Sequence, residues 1–490
     1  MDIFRTKSVE QSIRDTEAPE HQLRKRLTAV DLTVFGIGVI VGTGIFVLTG
    51  QVARDVAGPA VAVSFVVAGI VCGLAALCYA EFASTIPVAG SAYTFSFATL
   101  GEFPAWVIGW DLILELALAA AVVSVGWSGY FASLLASLGF ELPASIAGED
   151  PVVNVPAVVI VALLTAVLVA GIKLSSRVNL ILVITKVAVV LLVIFAGLFF
   201  IDSANYTPFI PDPISTPRVE GVQAPLVQVL FGIQPVAFGV IGIFSAAAIV
   251  FFAFIGFDIV ATAAEETIEP QRDVPRGIIG SLAICTLLYV AVSLVVVGMQ
   301  KYSSLSETAP LSDAFIAVGQ SWLATIISVG AIAGLTTVVL VLLLGQARVL
   351  FAMCRDGLLP RRLAVVHPTF GTPARLTILI GVVTMALAGF VSFGELAELV
   401  NIGTLFAFVV VSLGVIILRR TRPDLPRGFR TPLVPVLPIL SVLACLYLML
   451  NLPVQTWLRF VAWMLIGIVL YFAYGYRHSR TAAPWRASEG

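Results

Sequence analysis

Apolar residues dominate long stretches of this chain, and polar residues gather in the segments between them. Twelve stretches are apolar over the roughly 17–25 residues that an α-helix needs to cross a bilayer. Backbone groups in lipid must be hydrogen-bonded within their own segment, and runs such as IVALLTAVLVAGI lack the alternation of a membrane β-strand. The pattern predicts an all-α polytopic membrane protein with twelve transmembrane helices, spans 1 to 12, at residues 29–53, 59–86, 96–127, 154–172, 177–201, 237–263, 276–299, 320–352, 374–392, 396–418, 432–451 and 456–476.

Composition supports membrane burial and excludes several classes of protein. Of the 490 residues, 59% are hydrophobic and only 12% are charged, whereas a soluble domain carries about 25% charged residues. A soluble chain of this length would need a polar surface that these residues cannot supply. The net charge of -1 gives no polyelectrolyte character. We therefore expect neither a soluble enzyme nor a disordered tail protein, and no nucleic acid as a partner.

Basic residues are distributed unevenly between the two sides of the predicted bundle. With twelve spans both termini share one side, and that side carries 23 of the 28 Lys and Arg residues against 4 on the other. Because basic loops are retained in the cytoplasm, both termini are predicted to be cytoplasmic. The first 27 residues also lack the apolar core of a cleaved secretory signal. The remaining basic residue, Lys186, lies inside span 5.

The order of spans and connecting segments gives the predicted organisation of the chain. It comprises a cytosolic tail at 1–27, spans 1–5 at 28–201, an external loop at 202–236, spans 6–10 at 237–418, spans 11 and 12 at 432–476, and a cytosolic tail at 477–490. The apolar patch LVQVLFGI in the external loop is expected to form a hairpin. Five cysteines without C-x-x-C spacing and three histidines outside the spans predict no disulfide framework and no metal site.

Glycines interrupt spans 1 and 6. Span 1 contains Gly36, Gly38, Gly42 and Gly44, and span 6 contains Gly256. Close helix packing explains part of this pattern, and the other interpretation is an unwound backbone that lines a cavity, where broken helices are tolerated in membranes. Spans five apart run in opposite directions, so two such interruptions at corresponding positions indicate an inverted-repeat transporter with its binding site at the breaks.

Ordered motifs over residues 25 to 476 resemble those of the amino acid–polyamine–organocation transporters. The motifs are the G-x-G-x-x-x-G-x-G-I-F string from Gly36, Ala80-Glu81-Phe82, Pro87 to Tyr93, Phe254 to Asp258, Glu265-Glu266, Pro270 to Pro275, and Arg355 to Pro360. They are most similar to the cationic amino acid transporter branch in its bacterial form. The resemblance implies a LeuT-type fold of five plus five inverted helices with helices 1 and 6 broken, two additional helices, and a bacterial inner membrane.

An amino acid brings a carboxylate and an ammonium that both need partners in a low-dielectric site. The half-helix after the first break offers the amides of Thr43, Gly44 and Ile45 to the carboxylate. Carbonyls left free at the breaks are candidates for the ammonium, and the resemblance implies backbone contacts at these same positions, with Phe252 as an aromatic lid. The carbonyls and the pocket residue Leu343 of span 8 complete the predicted substrate site: Ile40, Phe252, Ala253, Ile255 and Leu343. The alternative for Phe252 is that its ring only packs against lipid or the protein core.

Lys186 and Glu115 are the charged residues whose positions within the spans are hardest to explain by contact with water. Lys186 lies nine residues into span 5, about 13 Å along the helix, where its ammonium is a candidate to lose and regain a proton. The resemblance implies that it occupies the place of an ion in sodium-coupled relatives, and hence proton coupling without sodium. Glu115 of span 3 is its candidate partner or a second proton carrier. The alternative for Lys186 is a structural lysine that stays charged and permanently paired. The alternative for Glu115 is a structural hydrogen-bond acceptor. Asp111, on the same helix face as Glu115, is a weaker candidate.

The predicted function is import of L-amino acids by proton symport with alternating access, without any other cofactor. The apolar candidate lining favours small neutral substrates such as alanine, and arginine or lysine stays open. An amino acid exchanger and a non-transporting amino acid sensor are the alternative functions. The bilayer and the amino acid are the expected partners, and a small membrane subunit is left open. A channel is disfavoured because polar residues within the spans are few and gather at the breaks.

Overall fold

The computed structural model describes most of the apolar chain. The described residues are 26–86, 91–148, 151–171, 176–215, 221–233, 236–368 and 371–479. Residues 1–25 of the predicted tail at 1–27, residues 480–490 of the predicted tail at 477–490, and the first part of the Pro87 to Tyr93 motif lie outside the described residues.

Helix α1, Ala29–Ile40, begins at a capping box formed by Thr28 and Asp31. The Asp31 carboxylate accepts the backbone N–H of Thr28 at 2.9 Å, and the Thr28 hydroxyl oxygen accepts the N–H of Asp31 at 3.4 Å. Such a reciprocal pair satisfies two of the N–H groups that a helix start leaves without partners. The capping box therefore fixes the point at which the chain enters the bundle.

Helices account for most of the described chain. After α1 the chain continues as α2, a run of π and α turns over Gly44–Leu48, Thr49–Val52 and Ala53–Ala57. The remaining helices are α3 (Val61–Thr85), α4 (Ser91–Thr99), α5 (Glu102–Ser137), α6 (Val155–Val169), α7 (Ser176–Gly197), α8 (Leu226–Phe231), α9 (Gly239–Val250), α10 (Pro270–Met299), α11 (Pro310–Ala317), α12 (Ser321–Arg355), α13 (Ala374–Phe390), α14 (Phe393–Thr421), α15 (Val436–Leu450) and α16 (Val454–Leu470). Strands β1 (Ile214–Ser215) and β2 (Val236–Ala237) pair antiparallel.

Eight helical stretches of the described chain are long and apolar enough to cross a membrane. Four shorter apolar helices, α1, α6, α13 and α15, accompany them. These stretches fall on the predicted spans, so the apolar pattern predicted the helices well.

Two parts of the sequence-based prediction are wrong. The stretch 96–127 was expected to be one helix, but α4 ends at Thr99 and α5 begins at Glu102, with Gly101 at a φ of 103° between them. Only glycine adopts such a conformation readily, which explains the interruption. The apolar patch LVQVLFGI was expected to form a hairpin, and it forms the short helix α8. The strands that pair in this loop flank α8 instead.

The core of the bundle is built by the helices that surround the two broken segments. Helix α10 packs against α1 and α3, whereas α5 packs against α12 and α14. Helix α7 lies against α12 and also contacts α1 and α10. On the outer side of α5, α16 is held by Trp110 and Trp463, whose rings stack with centroids 4.4 Å apart. The broken segments are thus enclosed by α3, α5, α7, α10, α12 and α14.

Candidate functional site

The first break separates α1 from α2. Helix α1 ends at Ile40, and Val41 is extended with φ -70° and ψ 92°. The Gly42 carbonyl accepts the N–H of Ile45 at 3.2 Å and that of Phe46 at 3.3 Å. The amide of Ile45, predicted to meet the substrate carboxylate, is thus already engaged within the protein. Thr43 and Gly44 supply the N–H groups at the open start of the half-helix, where intrahelical partners are lacking.

The second break follows α9. A 3-10 turn over Phe251–Phe254 continues the helix, Ile255 is extended, and Gly256 has a φ of 111°. This backbone conformation favours glycine, and a Cβ at Gly256 would lie 2.6 Å from the Val39 side chain. A further 3-10 segment begins at Asp258. The Phe252 carbonyl accepts the N–H of Ile255 at 3.2 Å, so one of the predicted ammonium ligands is partly occupied.

The two breaks touch each other through Gly44 and Ala253. A Cβ added to Gly44 would overlap the Cα and Cβ atoms of Ala253. Glycine at this position therefore allows the backbones of the two broken segments to approach closely. The glycines in the sequence predicted both broken segments, and in the structure the two segments contact each other at Gly44 and Ala253.

Tyr289 of α10 bridges the breaks, and the sequence did not single it out. Its side chain is fully buried, and its hydroxyl oxygen lies 2.7 Å from the Ile40 carbonyl and 2.8 Å from the Ala253 carbonyl. A tyrosine hydroxyl carries one proton, so it donates to one of these carbonyls at a time. The other carbonyl is left to accept from a further donor. These are two of the carbonyls predicted to receive the substrate ammonium.

Thr43 presents an unused hydroxyl at the first break. The residue is 1% exposed, and its Oγ1 has no hydrogen-bond partner. Its methyl group lies against Gly126 of α5, where a Cβ would overlap it. A buried hydroxyl without a partner is unfavourable by about 1–3 kcal/mol. Thr43 therefore offers a polar group to a ligand at the start of the half-helix.

Lys186 of α7 reaches the first break from the other side. The residue is fully buried, and its Nζ donates to the carbonyl of Gly38, in a short contact, and to that of Val41 at 3.3 Å. The stem packs against α12, where a Cβ at Gly334 would lie 2.9 Å from the Lys186 Cβ. Lys186 thus connects α7 and α12 to the carbonyls around the interruption of the first helix.

Lys186 and Glu115 do not form an ion pair, so the partner role offered for Glu115 is wrong, and its alternative role as a second proton carrier stays a prediction. Glu115 is buried, at 3% exposed. The ion pairs of the described residues include neither Lys186 nor Glu115. The physical reason is that backbone carbonyls freed at the break satisfy the ammonium, so it needs no carboxylate.

The predicted pocket residues Phe252 and Leu343 are both buried, at 6% and 1% exposed. Phe252 belongs to the 3-10 turn before the second break, and Leu343 belongs to α12. The roles of Phe252 as a lid and of Leu343 as a pocket wall stay predictions.

Two cavities lie close to the first break. One of about 260 Å³ is lined by residues of α2 and α5 and by loop residues, including Gln51, Gly126, Glu307 and Ser392. Gly126 is also the residue that Thr43 contacts, so this cavity reaches the wall of the break. Arg54 forms an ion pair with Glu307 at its lining. The other cavity, about 10 Å³, is lined by Phe35, Gly38, Val39, Val183, Thr337 and Val341.

The smaller cavity has the size of a single water molecule. Gly38, which lines it, also accepts the hydrogen bond from Lys186. Among the described residues, no group of three or more His, Cys, Asp or Glu side chains is placed to hold a metal ion. The chemistry available at the site is therefore hydrogen bonding by amides, carbonyls and hydroxyls, with one buried ammonium.

Comparison with known proteins agrees with this architecture. A family profile described as amino acid permease matches residues 27–473. The chain is 49% identical to the branched-chain amino acid permease BcaP of Bacillus subtilis (strain 168), covering 98% of both proteins. It is 47% identical to the methylthioribose transporter of the same organism, over 97% of this chain and 98% of that protein. It is also 38% identical to cationic amino acid transporter 1 of Arabidopsis thaliana, over 86% of this chain and 67% of that protein.

The family profile covers the whole described bundle, and the relatives are transporters rather than enzymes. The resemblance predicted from the motifs is therefore confirmed, and the chain is a multi-pass membrane protein. It belongs to the amino acid permease family of the amino acid–polyamine–organocation superfamily.

Proposed function

We propose that this chain imports neutral L-amino acids with apolar side chains across a bacterial inner membrane, by proton symport with alternating access. The observation that carries the proposal is the pair of broken helices in contact at Gly44 and Ala253, with Lys186 donating to the carbonyls of the first break. The proposal includes twelve transmembrane helices, of which ten form two inverted repeats of five, and cytoplasmic termini. Eight long and four shorter apolar helices support the count.

The substrate is proposed to bind between the breaks. Its carboxylate accepts hydrogen bonds from the N–H groups of Thr43 and Gly44, at the positive end of the half-helix dipole, and from the unused hydroxyl of Thr43. Its ammonium donates to carbonyls of Ile40, Ala253 and Ile255. Because Tyr289 has one proton for two of these carbonyls, the substrate ammonium supplies the second donor.

Proton coupling is proposed to act through Lys186. When charged, the ammonium makes charge-assisted hydrogen bonds to Gly38 and Val41, which are stronger than neutral ones. Loss of the proton weakens this link between α7 and the first break, so α1 gains freedom to move relative to α7. The water-sized cavity beside Gly38 offers a place from which water can exchange the proton. Glu115, which is also buried, is the proposed second proton carrier.

The comparisons favour a larger apolar side chain over the alanine expected from the sequence. The relative named a branched-chain amino acid permease supports leucine, isoleucine or valine, and no relative named here supports alanine in particular. The name of the methylthioribose transporter adds a thioether sugar as a second candidate. Cationic amino acids, exchange instead of symport, and sensing without transport are the further alternatives.

The test is uptake into proteoliposomes that contain the purified protein. Radiolabelled leucine, alanine, arginine and methylthioribose are offered with and without an imposed inward proton gradient, in sodium-free buffer. We expect concentrative leucine uptake only with the gradient. Uptake that is independent of the proton gradient contradicts symport. Uptake that requires amino acid preloaded inside the vesicles indicates an exchanger, and binding without flux indicates a sensor.

Leu343→Ser tests the proposed side-chain pocket. Removing a large apolar side chain creates space and adds a hydroxyl, so we expect broader acceptance, toward larger or cationic amino acids, in competition assays against labelled leucine. The matched control is Leu344→Ser, because Leu344 is the next residue of α12 and is 37% exposed whereas Leu343 is 1% exposed. An unchanged substrate profile in Leu343→Ser means that α12 does not line the pocket.

A further inference from the structure

Asp111 of α5 is a fully buried carboxyl group for which the protein supplies no hydrogen-bond donor. Its side chain is 0% exposed, and neither Oδ1 nor Oδ2 has a hydrogen-bond partner. An isolated carboxylate in a low-dielectric interior is very unfavourable, and such groups are neutralised instead. Asp111 is thus a buried acceptor with no donor, inside a bundle that crosses a membrane.

The groups around Asp111 add acceptors but no cation. Glu115 lies one helical turn further along α5, and both Glu115 and Asp258 of the second break are buried, at 3% and 5% exposed. From α14, Gly403 faces Asp111 so closely that a Cβ there would stand 2.9 Å from Oδ1. Within the part of the chain that the structure describes, the ion pairs include neither Asp111 nor Glu115. Two carboxyls one turn apart therefore share a site without a counter-charge.

The polar side chains of α14 and α12 beside the pair are already committed to backbone carbonyls. The Thr404 hydroxyl of α14 has a single proton and donates it to the Val400 carbonyl at 3.1 Å. Helix α12 contributes a further acceptor without a donor, since Gln346 donates to the Ile113 carbonyl at 3.0 Å while its Oε1 has no partner.

We propose that Asp111 and Glu115 form a proton-binding pair that is separate from Lys186, and that Asp111 is a neutral carboxylic acid in the conformation described here. The proposed ligand is a proton; among the described residues, no group of three or more His, Cys, Asp or Glu side chains is placed to hold a metal ion. Asp258 follows Gly256 by two residues, so rearrangement of the second break changes the charge that faces the pair. Binding of a proton by the pair is thereby linked to the conformation of the second break. This link rests on the proposed function.

The direct test is infrared difference spectroscopy of the purified full-length protein at neutral pH, without any substrate. A neutral carboxylic acid and a carboxylate absorb at well-separated frequencies. Subtracting the spectrum of Asp111→Asn from that of the wild type is expected to reveal the loss of a neutral-acid band. The control Asp424→Asn, whose side chain is 71% exposed, is expected to lose carboxylate bands instead. Loss of carboxylate bands in Asp111→Asn overturns the proposal.

Two further measurements keep the proposal testable if Asp111→Asn does not fold. Wild-type protein made with 13C-labelled aspartate carboxyls should show a neutral-acid band that shifts relative to unlabelled protein, and the absence of such a shift overturns the proposal. Sodium added to the wild type should leave the thermal unfolding midpoint unchanged, whereas a rise that disappears in Glu115→Gln identifies a sodium site. Neither measurement requires transport, so failure of the proposed substrate or symport gives a different result from failure of the proton-binding pair.

Discussion

The two breaks differ in which groups stabilise their non-helical backbone. At the second break the backbone carries its own conformational determinant, because Gly256 has a φ of 111° and the Phe252 carbonyl is satisfied by Ile255 three residues later. At the first break the carbonyls of Gly38 and Val41 are satisfied by the side chain of Lys186 from another helix. One interruption is therefore defined locally, and the other depends on a side chain that can gain or lose a proton.

This difference indicates how binding and proton transfer can move the molecule. A conformation fixed by a glycine does not depend on the protonation state of Lys186, whereas one held by the Lys186 ammonium can be released by its deprotonation. Tyr289 belongs to both breaks and supplies one proton to two carbonyls. We infer that the first break is the one that responds to Lys186.

Lys186→Ala should have the largest effect, because it removes the donor to the first break. We expect accumulation driven by a proton gradient to fall to the level of protein-free liposomes, while leucine binding is partly retained in a thermal-shift assay. The control is Lys301→Ala, an exposed lysine in a connecting segment, which should transport normally. Full gradient-driven accumulation in Lys186→Ala would remove Lys186 from the mechanism.

Gly44→Ala should separate the two breaks. The added methyl group would overlap Ala253, and overpacking of this kind costs about 1–3 kcal/mol. We expect a lower unfolding midpoint and uptake reduced about ten-fold, which corresponds to roughly 1.4 kcal/mol. Gly73→Ala in α3 is the control, since a Cβ at Gly73 meets no atom within 4 Å. Equal behaviour of the two variants would mean that the close contact of the breaks is unimportant.

Tyr289→Phe tests the bridge that belongs to both breaks. Without the hydroxyl, the Ile40 and Ala253 carbonyls both lack their donor, so the empty protein should lose about 0.5–1.5 kcal/mol of stability. Because the substrate ammonium can restore a donor, we expect a larger leucine-induced rise in the unfolding midpoint than in the wild type. Tyr206→Phe is the control, as its hydroxyl donates to the Leu294 carbonyl at 2.8 Å, away from the breaks. An unchanged midpoint without substrate argues against the bridge.

Thr43→Val should have a selective effect on binding and should not destabilise the fold. Because Thr43 Oγ1 is buried without a hydrogen-bond partner, replacing it by a methyl group should leave the unfolding free energy unchanged or raise it, by up to about 1–3 kcal/mol. Leucine affinity should fall about 2- to 10-fold, the equivalent of one hydrogen bond. In contrast, Thr49→Val removes a hydroxyl that donates to the Ile45 carbonyl at 3.0 Å and should leave affinity unchanged. Unaltered affinity in Thr43→Val excludes this hydroxyl from the substrate site.

The sequence predicted the parts of the site that depend on local chemistry. Glycine at Gly44 and Gly256 indicated both breaks because few other residues allow such backbone approach and conformation. The partners of Lys186 could not be predicted, since every residue has a carbonyl and only the fold shows which ones lack donors. Tyr289 resembled an ordinary core tyrosine for the same reason. Pairing Lys186 with Glu115 failed because the carbonyls freed at the first break already accept the hydrogen bonds of the ammonium.

The boundaries of one helix were missed for a related reason. The apolar pattern across Thr99 and Glu102 is nearly continuous, and the single glycine between them gave no stronger signal than the many glycines inside other spans. Its φ of 103° depends on how α4 and α5 are placed by the rest of the bundle. Long-range packing, rather than local preference, therefore determined this boundary.

Proton movement during substrate uptake tests proton symport through the first break most directly. Proteoliposomes carry the wild-type protein in their membrane and a pH-sensitive dye in their lumen. Leucine is added outside, with no proton gradient imposed and with the membrane potential held at zero by an ionophore that does not carry protons. We predict that the lumen acidifies as leucine enters, and that Lys186→Ala shows no acidification. Leucine entry at constant lumenal pH in the wild type would contradict proton symport.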